Sequence, residues 1–76
     1  MIQERHISTR ITEARTNAGL TKNQLAEAIG RHSRTVHRIE SGDTTPSIPL
    51  LESIATACGV TVHDLIPDHS QALQTA

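Results

Sequence analysis

At 76 residues, with 36% hydrophobic content, one Cys and no aromatic residue, the chain suffices for one small domain whose core is built from Ile, Leu, Val and Ala, a thin core that dimerisation would help. No apolar run is long enough to span a bilayer, and Met1–Thr9 is too polar and charged for a signal peptide, so no membrane role is expected and the chain is read as cytoplasmic. The net charge of −1 excludes a uniformly basic nucleic-acid binder.

Ile7, Ile11, Ala14 and Ala18 recur at steps of four, three and four, which predicts a first helix from near Glu4 to Asn17 that stops at Gly19 in a left-handed ending. Thr21 and Gln24 have capping-box spacing, so a second helix begins there and ends at Gly30, with Leu25, Ala26 and Ile29 on its buried stripe. A third helix, capped by His32 or Ser33, carries Val36 and Ile39 on one face and closes at Gly42, leaving the turn Asp43-Thr44-Thr45-Pro46.

Ser47 caps a fourth helix with Pro49 in its first turn, where a missing amide costs little; Leu50, Leu51, Ile54, Ala55 and Cys58 form its buried stripe up to Gly59. Cys58 has no partner in the chain and reads as a buried, reduced thiol. Thr61 and Asp64 repeat the cap spacing, predicting a short fifth helix with Val62, Leu65 and Ile66 that ends before Pro67. No repeat, low-complexity tract or strand pattern interrupts this series, so the expected fold class is all-α, five helices in one domain.

Charge is polarised along the chain. Seven basic and three acidic residues lie up to Arg38; five acids and no base follow. Such asymmetry suits a protein that offers one basic face to phosphates and turns an acidic back away. The segment Lys22–Ser41 has the layout of a DNA-reading helix-turn-helix, two short helices joined through Gly30 with the second rich in Arg and His.

Arg15, Gly19-Leu20-Thr21, Leu25-Ala26, Gly30, Arg38-Ile39-Glu40, Gly42, Pro46-Ser47 and Gly59-Val60, in this order and spacing, resemble the Cro and phage-repressor (XRE) family. The resemblance covers Arg10 to Ile66 and implies a five-helix lambda-repressor-like DNA-binding domain. Its boundaries would be an extension over 1–9, the domain over 10–66 with the helix-turn-helix at 22–41, and a short flexible tail over 67–76. Ala26 and Gly30 are expected to be small because the two helices cross there.

In this family the N-terminal half of the third helix enters the major groove, which makes Ser33, Arg34, His37 and Arg38 the base-reading candidates. A guanidinium fork grips guanine O6 and N7 in two bonds, so Arg34 is the first choice; Arg38, one turn on, reads a base or a phosphate, Ser33 discriminates weakly alone, and His37 touches a base edge or a phosphate, best when protonated. Phosphate contacts are expected from Thr21, Lys22 and Asn23 at the positive end of the second helix, from Arg31 and His32, and from Thr44 and Thr45 in the turn. Lys22 replaces a family-typical Gln, gaining a charge and losing any amide bridge to the reading helix. Arg31 and His32 stand where the family usually has an apolar residue and a Ser or Thr cap. Asp43, Thr44 and Thr45 lack the basic residues common after the third helix and offer hydroxyls, backbone amides and one repelling carboxylate instead, so modest non-specific affinity is expected. Arg15 and Glu40 match positions that pair in relatives and read as a structural ion pair. Arg10 extends the phosphate footprint or is simply solvated.

Catalysis is not expected: Ser33, His32 and His37 do not converge on a helix, and no Gly-framed nucleophile motif occurs. No metal or other cofactor is expected either, since His32 and His37 are about 140 degrees apart round a helix and His6, His63 and His69 are isolated. The expected partners are double-stranded DNA and a second copy of the chain, with Val62, Leu65 and Ile66 at the dimer interface. The combined reading is a transcriptional repressor on a palindromic operator. The alternative is an antitoxin-like protein that binds a toxin partner and autoregulates its operon. A third is a DNA-binding fragment of a longer repressor, although the start at Met1 favours a whole protein.

Overall fold

Most helix ends coincide with a local chemical signal. The structure, a computed structural model, describes residues 7–66 as α1 (Ile7–Asn17), α2 (Lys22–Ile29), α3 (Ser33–Ser41), α4 (Ile48–Cys58) and α5 (Val62–Leu65), with no strand among the described residues. The start predicted for α1 near Glu4, His6 and the tail with His69 lie outside the described residues, while α5 ends at Leu65, before Pro67 as expected.

Thr21 caps α2 as a complete capping box: its hydroxyl accepts from the Gln24 amide at 3.0 Å while its own N–H donates to Gln24 Oε1 at 2.8 Å. The Ser47 hydroxyl accepts from the Leu50 amide at the head of α4, and Thr61 and Asp64 close a second capping box on α5. His32 occupies the N-cap of α3 but its side chain makes no cap bond, so that end is held by the Thr35 amide donating to the His32 carbonyl at 2.9 Å. At the other end of the first helix, Gly19 has φ 77° and the Leu20 amide donates back to the Arg15 carbonyl at 3.1 Å, the left-handed ending expected. Ala18 lies past the end of α1 and is exposed, so the stripe of that helix stops at Ala14.

Gly30 corrects an expectation. A Cβ there would meet nothing within 4 Å, so the residue is small because φ is 72°, where a side chain is strained, and not because the helices crowd it. Ala26, in contrast, is buried.

All five helices supply the core. Ile11, Leu25, Val36, Ile39, Leu51, Ile54 and Leu65 are its most deeply buried side chains, with Ala14, Ala26, Ala55 and Cys58 filling the spaces between them. Burial of a single side chain of this size is worth about 1.5 to 3 kcal/mol, so a core without aromatic residues depends on each contributor. α2 packs most extensively on α3 and next on α4, while α1 reaches α3, α4 and α5. That arrangement fixes α2 and α3 from behind and leaves their outer faces uncovered.

Leu65 departs from the sequence reading. It is 1% exposed and belongs to the core of its own chain, so it is not available as a dimer contact. Four residues of α5 show too little periodicity to distinguish an inward Leu from an outward one. Val62 and Ile66, which flank it, are half-buried against the same core.

Candidate nucleic-acid interface

The outer face of α3 is polar because its inner face is committed. Val36 and Ile39 are buried and Thr35 is half-buried, which turns Ser33, Arg34, His37 and Arg38 outward; all four are exposed. Arg31, Arg34 and Arg38, on the α2–α3 side, form no ion pair with a described residue.

An open hollow at the junction of α2 and α3 brings together Lys22, Asn23, His32, Ser33, Arg34 and His37. Arg31 and His32 border an adjoining depression with Asn23 and Gln24. At the tip of α2, Thr21 occupies the Gln24 amide with its hydroxyl and the Leu25 amide with its carbonyl. The amides of Lys22 and Asn23 precede these at the helix's positive end, the arrangement that suits an anion.

Thr44 and Thr45 are not gathered into this hollow. They border a separate depression with Ile7, Ser8 and Pro46, beside the first turn of α1. The backbone amides that the turn was expected to offer are partly used: Asp43 and Thr44 both donate to the Arg38 carbonyl, at 2.9 and 3.3 Å, as part of the left-handed ending at Gly42.

Lys22 has a role the sequence reading missed. Its Nζ lies 3.2 Å from His37 Nδ1, so the Gln-to-Lys departure exchanges an amide bridge for an ammonium contact to the reading helix and does not abolish the link. The residues are 15 positions apart, and no local spacing announces such a pairing.

Behind the exposed face stands a closed ion pair. Arg15 Nε donates to Glu40 Oε2 at 2.6 Å and Arg15 Nη2 to Glu40 Oε1 at 3.0 Å, while Nη1 donates to the Leu20 carbonyl at 2.8 Å. The side chains are 12% and 5% exposed, so the paired charges are largely out of water and the fork geometry is fully used. This pair joins α1 to the end of α3 and, through Leu20, to the turn before α2. Arg10 Nη1 donates to the Asp64 carbonyl at 3.3 Å in an exposed contact that ties α1 to α5.

Two ionisable groups outside the exposed face are displaced from their ordinary behaviour. Burial pushes the Cys58 thiol up, with the Arg15 charge opposing, which keeps it protonated and unreactive. The Thr61 amide, and then its hydroxyl, hold the Asp64 carboxyl below the usual range. Neither group belongs to the α2–α3 face. No cluster of three or more His, Cys, Asp or Glu suited to a metal occurs among the described residues.

The family model for helix-turn-helix domains matches residues 6–66. In sequence the chain is 37% identical over 57 residues to the HTH-type transcriptional regulator DdrOP3 of Deinococcus deserti, covering 75% of this chain but only 44% of that protein. It is 41% identical over 51 residues to an uncharacterized HTH-type transcriptional regulator of Methanothermobacter thermautotrophicus, covering 67% of this chain and 74% of the other. Among solved structures it is similar to SinR, the master regulator for biofilm formation, in complex with DNA (TM-score 0.73, 35% identity, 78% of this chain and 95% of that one). It is also similar to the SinR protein/SinI protein complex (TM-score 0.76, 33% identity, 86% and 65% covered). The restriction-modification controller protein C.AhdI from Aeromonas hydrophila gives a TM-score of 0.75 at 28% identity, covering 79% of this chain and 91% of the other. With five helices in this order, a helix-turn-helix at α2 and α3 and these relatives, the chain belongs to the helix-turn-helix regulators of the Cro and phage-repressor (XRE) type.

Proposed function

We propose that this protein is a sequence-specific DNA-binding transcriptional repressor that acts in the cytoplasm by occupying a promoter and performs no catalysis. Its main support is the exposed cationic face of α3, without ion pairs to the described residues, on a fold similar to that of a regulator solved in complex with DNA. Arg34 reads a base edge from the first turn of α3, with Ser33, His37 and Arg38 beside it. Lys22, Asn23 and Thr21 at the tip of α2, with Arg31 and His32 in the turn, hold the phosphate backbone. Thr44 and Thr45 add a phosphate contact from the far end of α3.

The operator is a near-palindrome with half-sites about one helical turn apart, 10 to 10.5 base pairs, read by a homodimer. Val62 and Ile66 remain as the apolar edge of α5 for that contact, without Leu65. Binding of a protein partner is a second reading, favoured by the likeness to the SinR protein/SinI protein complex. An antitoxin-like role would be one form of it.

Two substitutions separate the roles. Arg34→Ala should cost about 1 to 3 kcal/mol on the true operator and relax one base preference, whereas Lys22→Ala should weaken binding to all sequences and flatten the salt slope by about one. Fluorescence anisotropy on operator and random duplexes measures both. Equal losses on the two duplexes for both variants would overturn the division into reading and positioning residues.

A further inference from the structure

We propose that Lys22 is a positioning residue that fixes the tautomer of His37, so that α3 presents His37 Nε2–H as a single donor selecting an acceptor-edged base, guanine before the others. This deepens the function proposed above and rests on it. An ammonium has three N–H donors and no acceptor, so the 3.2 Å contact from Lys22 Nζ requires the lone pair of His37 Nδ1 to face it. In a neutral imidazole the proton must then sit on Nε2, across Cε1 from Nδ1 and directed away from the ammonium.

Among the described residues, the surroundings leave Lys22 as the group that makes this choice. Glu40, one turn along α3 from His37 and bordering the same shallow depression, would otherwise draw a proton to the near side of the ring. Both of its oxygens are instead held by Arg15, at 2.6 and 3.0 Å, and its side chain is only 5% exposed. Ser41 donates its hydroxyl to the Arg38 carbonyl. Arg34, one turn before His37 on α3, is a cation and cannot accept. Lys22 is half-buried, which restricts its stem, and one of its three N–H groups is used on His37, leaving two for a phosphate. A single ammonium thereby couples the backbone contact of α2 to the base contact of α3.

The chemistry of the donor sets its preference. Guanine offers O6 and N7 as adjacent acceptors in the major groove, whereas cytosine offers an N4 donor that opposes Nε2–H. One such bond should favour guanine over cytosine at a single base pair by about 3- to 10-fold.

The test has two independent parts, both on the full chain. Long-range 1H–15N NMR of the DNA-free protein, at a pH where the ring is neutral, reads the His37 tautomer. The expected result is protonated Nε2 in the wild type and in Lys22→Arg, and a relaxed mixture of tautomers in Lys22→Met. Titration of duplexes varied at one base pair should then show the guanine preference in wild type and Lys22→Arg, and its loss in Lys22→Met and His37→Ala, whatever the overall affinity of each variant. A protonated Nδ1 in the wild type, or an unchanged tautomer in Lys22→Met, overturns the proposal. A tautomer that responds to Lys22 in a protein that prefers no duplex sequence overturns the base readout through the failure of the regulator reading, and so separates the two.

Discussion

Two polar contacts anchor α3 to other helices, and they are built on opposite principles. Arg15–Glu40 lies behind the helix, bidentate and nearly dry; Lys22–His37 lies in front of it, single and open to solvent. The first commits both carboxylate oxygens and three of the five guanidinium N–H donors at a site nearly closed to solvent. The second is weak as a structural contact but leaves two ammonium donors and one ring N–H free to meet a partner. The same helix is thus fixed on its inner side by a bidentate, nearly dry pair and equipped on its outer side by an exposed contact with donors to spare.

The largest effect that would break this comparison is at neither contact but in the core that carries both. Leu65→Asp places a charge among apolar side chains with no partner, and should cost more than about 4 kcal/mol, enough to unfold a domain of this size. Circular dichroism should show loss of the cooperative melt. A folded Leu65→Asp protein that merely elutes as a smaller species in gel filtration would return Leu65 to the dimer surface.

Arg15→Ala should follow, at about 3 to 5 kcal/mol, because it leaves the Glu40 carboxylate buried and unpaired. Replacing both partners with apolar residues should recover much of that loss, since the stranded charge and not the missing bond carries most of it. Chemical denaturation of the single and double variants measures the difference. Equal destabilisation in both would mean that the pair is held by something other than its own geometry.

Lys22→Met sharpens the contrast from the other side. An exposed single contact should contribute within about 0.5 kcal/mol to stability, so the melt should barely move while DNA binding weakens. The smallest effect is a pH dependence at the end of α5. The Asp64 carboxyl is lowered in the folded state, so the unfolded chain takes up the proton first on acidification. Its stabilising contribution is complete above the ordinary carboxylate range and is lost as pH falls through the lowered folded value. Asp64→Asn should remove that part of the acid dependence in a series of melts, and an unchanged acid profile would mean that the capping box contributes nothing.

How much of this was legible in the sequence depends on the range of the cause. The Thr21–Gln24 and Thr61–Asp64 capping boxes, the Ser47 cap and the glycine endings operate within one turn of helix, and the residues state them directly. The Arg15–Glu40 pair spans 25 positions, and resemblance to a family supplied it where spacing had nothing to say. Lys22–His37 was invisible because it depends on how far two side chains reach across a helix crossing. Leu65 was misplaced because a four-residue helix has an inner side only once the rest of the core exists. The turn after α3 looked like a supply of free amides until Asp43 and Thr44 proved to be finishing the helix. For Gly30 the residue was recognised and the reason was not: its backbone angle, rather than a neighbour, forbids a side chain.

The central claim is that the outer face of α3 reads sequence. It is tested most directly by selecting from a randomised duplex library with the purified protein at low salt and repeating the selection with Arg34→Ala. Enrichment of an inverted repeat that the substitution alters or abolishes at one position per half-site is the result expected. Enrichment that is identical for both proteins, or none beyond a salt-sensitive background, would contradict it.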